Sequence, residues 1–156
     1  VIALFIVTIL AASQGRVEAE GFERFRPLTW DGGVIELLGM TLQETYAVLG
    51  IPKKVFPIRG EEAWQDDVVF DYDGLYVYWF ENRVWQVSID AGYDESVYGL
   101  VIGSSMDGVV TELGNPFHIG GSELIYLLRD RGYPVRVRLC FSEKRLTDVY
   151  IYRADF

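Results

Sequence analysis

Leu42, Thr45, Tyr46 and Leu49 recur at the i, i+3, i+4, i+7 spacing of a one-faced helix, with Thr45 the only polar member. Met106, Val109, Val110 and Leu113 repeat the pattern 64 residues later. Each stretch sits in the same frame, G-x(10)-G-x-P, from Gly39 to Pro52 and from Gly103 to Pro116. Thr41 and Ser105 stand where a helix needs a side-chain cap, and Thr41-x-x-Glu44 has the form of a capping box. Gly108 takes the Glu position in the second stretch, which predicts a helix that frays more easily. Gly50 and Gly114 suit the residue that ends a helix, and the proline two positions on stops it from continuing.

Behind each helix the period changes from 3.6 to 2. DVVFDY, Asp73-Gly74, LYVYWFE, a turn at Asn82-Arg83 and VWQVSID follow the first. ELIYLLRD, a turn over residues 131–134, VRVRLCFS, a turn at Glu143-Lys144 and LTDVYIY follow the second. Asp-Gly between apolar runs is a strong hairpin signal. KKVFPI adds a short edge strand or a turn, and residues 92–98 read as a linker. A unit of roughly 60 residues buries too little surface to be comfortable alone, so a second copy would complete the core. The expected fold is α+β: two tandem repeats of a short helix plus an antiparallel β-meander, packed as one unit. Residues 14–91 would form the first, with an N-terminal extension, and residues 92–156 the second.

G-M-T-x-x-x-[apolar]-x-x-x-L-G-x-P, from Gly39 to Pro52, resembles the motif of the SmpA/OmlA (BamE-type) small outer-membrane lipoproteins. The doubled helix-plus-meander unit is similar in plan to beta-lactamase inhibitory protein, a BLIP-like arrangement. The resemblance implies a non-enzymatic module that binds another envelope or extracellular protein.

Composition narrows the partners. Of the 156 residues half are hydrophobic, which allows a substantial core. Lys and Arg total 14 against 23 Asp and Glu, and the net charge of −9 argues against nucleic acid or an anionic membrane surface. Cys140 is the only cysteine, so no intramolecular disulfide forms. VIALFIVTILAAS has the length of a secretory apolar region, with Ala11 and Ser13 at the small positions before Gln14. Residues 1–13 are therefore expected to be a signal peptide, and the mature chain to be periplasmic or secreted, with no membrane span.

Catalytic signals are weak. His118 is the only histidine and falls in a loop after a helix stop. No nucleophile elbow, P-loop or histidine-rich metal set is present in the sequence. Cys140 shares a strand face with Arg136 and Arg138, whose charges could lower a thiol pKa, yet nothing supplies an orienting third group. The chain is read as a non-enzyme with no cofactor and no metal. The start of D-x-D-G at Asp71 and Asp73 resembles a calcium loop, but the later ligands are missing. An acidic hairpin tip could instead probe a basic cleft.

The aromatics lead most directly to function. LYVYWFENRVWQV carries Tyr76, Tyr78, Phe80 and Trp85, and alternation puts the first three on one face. VRVRLCF puts Arg136 and Arg138 together on one face. Aromatics beside arginines on one sheet suit recognition of an acidic or extended peptide. The expected activity is that of a protein-binding or inhibitory module of the cell envelope. The partner-binding residues are Tyr76, Tyr78, Phe80, Trp85, Asp71, Asp73, Arg136 and Arg138. The alternatives are a structural envelope-assembly component and a small-ligand or metal-binding carrier.

Overall fold

The computed structural model describes residues 25–63 and 66–155. The expected signal peptide at residues 1–13 lies outside the described residues. After a 3-10 turn, Gly33–Leu37, the chain forms α1 (Leu42–Leu49), β1 (Lys54–Ile58), β2 (Asp67–Asp71), β3 (Leu75–Phe80) and β4 (Arg83–Ile89). Then come α2 (Met106–Leu113), β5 (His118–Gly120), β6 (Glu123–Leu127), β7 (Val135–Ser142) and β8 (Arg145–Arg153). All eight strands join one antiparallel sheet in the order β1-β2-β3-β4-β8-β7-β6-β5.

This corrects the expected fold class. The protein is mostly β, a single eight-stranded sheet with two short helices, and not a two-repeat α+β arrangement. The physical reason is the β4–β8 ladder, Gln86↔Tyr152 to Ile89↔Val149, which hydrogen-bonds the two meanders into one sheet. Each meander also has four strands, because KVFPI and HIG pair at the two edges.

The helix frame earns its spacing through contacts to that sheet. The Gly39 amide donates to the Val84 carbonyl at 2.7 Å, and the Gly103 amide to the Leu146 carbonyl at 2.7 Å. At the far ends, Tyr72 donates to the Gly50 carbonyl at 3.1 Å and Tyr126 to the Gly114 carbonyl at 3.0 Å. The first glycine and the last thus mark where each helix is tied down. Thr41 forms the full capping box with Glu44, while Ser105 caps only the Gly108 amide.

One face of the sheet carries the core. Val77, Val87, Val137 and Ile151 are fully buried at its centre. Ile35, Leu37 and Val109 pack on them from the 3-10 turn and α2, with Leu42 and Leu49 of α1 partly buried beside them. The linker read at residues 92–98 is anchored as well. Val97 is buried, and Tyr98 stacks on Trp30 with ring centroids 4.4 Å apart. The β3–β4 turn is Glu81-Asn82, both with positive φ, one residue earlier than Asn82-Arg83. Asp73-Gly74 turns as expected, also with both φ positive.

Two substitutions test this packing. A Cβ on Gly74 would lie 2.2 Å from the Tyr93 amide nitrogen and 2.3 Å from the Gly92 carbonyl carbon. Gly74→Ala should lower the unfolding free energy by at least about 2 kcal/mol in a urea titration, since it adds an overlap with backbone to an unfavourable φ. The hydroxyl of Thr45 is buried with no hydrogen-bond partner among the described residues. Thr45→Val should raise stability by about 1 kcal/mol in the same titration, because the unpaired group is removed and its shape kept.

Candidate functional site: the open face of the sheet

The face opposite the helices is where the candidate residues meet. Cross-strand register aligns Tyr76, Ser88, Tyr150 and Arg138 in one row. The next row aligns Tyr78, Gln86, Tyr152 and Arg136. Adjacent strands are about 4.8 Å apart, so each row brings its tyrosines and arginine within one continuous surface. β3 and β7 alternate buried and half-buried residues along their length, and these tyrosines and arginines are the half-buried set. None of them belongs to the core cluster.

Local geometry fixes several of them. Tyr78 Oη lies 3.2 Å from Ser88 Oγ, and burial pushes the Tyr78 phenol pKa up. A register shift at Tyr78/Trp79 carries Trp85 alongside Tyr78, with ring centroids 6.4 Å apart. Trp85 Nε1 donates to Asp67 Oδ1 at 3.3 Å, and burial raises the Asp67 carboxyl pKa. Phe80 ends β3, half-buried. Arg138 stacks on Tyr150, its guanidinium carbon 4.6 Å from the ring centroid. Arg136 sits 6.0 Å from the Phe117 centroid.

The expected acidic probe adjoins this face, because Asp71 stands opposite Tyr76 at the β2 end of the first row. Asp71 accepts from the Asp73 amide at 2.9 Å and so builds the hairpin turn, and Asp73 makes an exposed ion pair with Lys53. Both line a depression of about 760 Å³ at the end of the sheet, with Asp90, Asp94, Glu95 and Asp148. Among the described residues no group of three or more His, Cys, Asp or Glu is arranged to hold a metal ion. The thiol expectation also changes. Cys140 does share the face with Arg138, but burial outweighs that cation and pushes its pKa up. His118 lies on edge strand β5, two strands and two residues away, about 12 Å between backbones.

Sequence reasoning missed Tyr150 and Tyr152, although the Y-I-Y alternation of LTDVYIY placed both on one face. It also missed Ile125 and Leu127 of β6, which stand next to Arg138 and Arg136 in register.

No protein-family model matches the chain, and no curated protein matches it. The SmpA/OmlA resemblance therefore finds no support. Solved structures do match in fold. A cysteine-rich secretory protein from Staphylococcus aureus subsp. aureus Mu50 aligns with a TM-score of 0.57 at 15% identity, over 83% of this chain and 49% of that one. An extracellular protein containing a SCP domain, from Bacillus anthracis str. Ames, aligns with a TM-score of 0.55 at 16% identity, over 85% of this chain and 50% of that one. The chain thus spans about half the length of each. A Streptococcus mutans chain named as a proposed beta-lactamase inhibitor protein also matches, at 16% identity over 80% of this chain and 89% of that one. Its name agrees with the BLIP-like part of the resemblance, but its TM-score of 0.29 carries no fold argument. Among the described residues no helix is long and apolar enough to cross a membrane.

Tyrosine titration checks the geometry of this face. Tyr76 donates to Asp90 Oδ2 at 3.0 Å, a bond that needs the neutral phenol, and its pKa is pushed up to about 12. Tyr126 also rises to about 12, through burial. A raised phenol pKa stabilises the fold fully below the ordinary value of 10 and ceases to do so as pH rises through 12. Ultraviolet titration should find Tyr76 and Tyr126 still protonated at about pH 11 in the folded chain, and Tyr76→Phe should lower the number of phenols that resist ionisation there by one.

Proposed function

We propose that the chain is an exported, non-enzymatic module that binds another extracellular or envelope protein through the open face of its sheet. One observation carries this reading. Tyr76, Tyr78, Tyr150 and Tyr152 share a face with Arg136 and Arg138, while both helices and the 3-10 turn direct their apolar residues to the other face. Tyr and Arg are the residue types that dominate binding hot spots, and here both are anchored on strands. The fold neighbours named as secretory and extracellular proteins support export. The raised thiol pKa and the separation of Cys140 from His118 support a role without catalysis.

A second reading, a structural assembly component, draws on edge strand β1. Val55, Phe56 and Ile58 are exposed there, as an edge open to another strand would have them.

The test uses the full chain as bait in a crosslinked extracellular or envelope fraction, beside a Tyr150→Ala plus Tyr152→Ala variant that keeps its cooperative melt. A single stoichiometric partner should be captured, and its affinity should fall by about tenfold or more in the variant. Equal capture by both would move the site off this face. Assembly through β1 would instead appear as self-association in light scattering that Val55→Lys abolishes.

A further inference from the structure

We infer that the partner presents an extended acidic segment, with carboxylates at alternate positions, laid along β7. This rests on the docking reading above. The inference starts from two arginines that lack an anion. Neither Arg136 nor Arg138 makes an ion pair with a described residue. Arg138 Nε is buried and has no hydrogen-bond partner among the described residues. In a chain with a net charge of −9, two arginines without an ion pair thus stand at alternate positions on one face.

Their spacing sets the ligand geometry. Arg136 and Arg138 are two residues apart on one strand, about 6.7 Å. That is also the repeat between same-side residues of any extended peptide, so Asp-x-Asp or Glu-x-Glu matches both guanidinium groups at once. Adjacent acids of an extended segment point to opposite sides and do not. Arg138 is held by stacking on Tyr150, which occupies the flat face of the guanidinium; with Nε buried, the terminal nitrogens are what remains for a carboxylate. On either side the surface is amphipathic. Tyr150 and Tyr152 stand on β8, and Ile125 and Leu127 on β6, each opposite one arginine. They would cover the backbone of the segment and keep water from the ion pairs. Asp148 and Glu123 align with Cys140, the next position on this face. Their charge limits the acidic pair to Arg136 and Arg138 and leaves the following position for a neutral or basic residue.

Three synthetic peptides of one length and one set of neutral residues decide the matter: Asp at alternate positions, Asn at the same positions, and two adjacent Asp residues. Each is titrated into the ¹⁵N-labelled full chain, following backbone amides of β7 and β8 and the arginine Nε–H signals. The alternate-Asp peptide should shift Arg136, Arg138 and Tyr150. It should bind about tenfold or more tightly than either other peptide, and lose that advantage in Arg136→Gln plus Arg138→Gln and in high salt. If the Asn peptide shifts the same face equally, the docking surface stands and the acidic ligand is refuted. If adjacent Asp matches alternate Asp, the extended register is refuted. If no peptide shifts this face, the inference is refuted, and capture lost on Tyr150→Ala plus Tyr152→Ala then decides whether the face docks a partner at all.

Discussion

Four residue pairs between β4 and β8 hold the architecture together. Gln86, Val87, Ser88 and Ile89 lie opposite Tyr152, Ile151, Tyr150 and Val149 at the centre of the sheet. Without that ladder the chain would have two four-stranded meanders, each with a bare apolar face and one more open edge. With it, Val87 and Ile151 become the middle of a single core, fully buried on the helix side. The same ladder sets the composition of the other side. β3 reaches β7 only through β4 and β8, so the tyrosines of one meander and the arginines of the other share a surface because this join is in register.

The open face is ordered by its own side chains. Gln86 and Ser88 are buried there although they are polar and lie opposite the helices. Each stands between tyrosines from β3 and β8, and the Tyr78 hydroxyl closes over Ser88. Buried polar residues in the middle with large aromatic neighbours give a surface that is half desolvated before any partner arrives. Such a surface loses less side-chain freedom on binding than a flexible one.

Much of this was legible in the sequence, but only where the information is local. Helix caps depend on residues three or four apart, so Thr41, Glu44, Gly50 and their counterparts at Ser105 and Gly114 could be read directly. Alternation gave the faces of β3 and β7 for the same reason. Strand order is different, since no periodicity records that Ser88 will meet Tyr150, 62 positions away. That is why the sequence reads as two α+β units and why Tyr150 and Tyr152 stand outside the site it predicts. At the edges, KKVFPI left a short edge strand or a turn open and HIG was not legible as a strand, for another reason. β1 is exposed at every residue and contains Pro57, and β5 has three residues, so neither shows a buried stripe. The bulge beside Tyr78 also breaks strict alternation, and it is what brings Trp85 to the tyrosines.

Charge on this face is sorted along the strands. Asp148 and Glu123 occupy the row at Cys140, next to the acidic depression that includes Asp71, Asp73 and Asp90. One step along β7 the sign reverses at Arg138, and it stays positive at Arg136. Over a distance comparable with the screening length in physiological salt, a charged segment meets opposite signs at its two ends. The tyrosines and aliphatic residues flanking β7 are nearly uniform along the strand and could accept a segment in either direction. A segment with a basic residue beyond its acidic pair cannot bind in both, because reversal in place would put that cation opposite Arg136 and a carboxylate beside Asp148 and Glu123. Apolar area on this face therefore supplies adhesion, and the order of charges along β7 supplies direction.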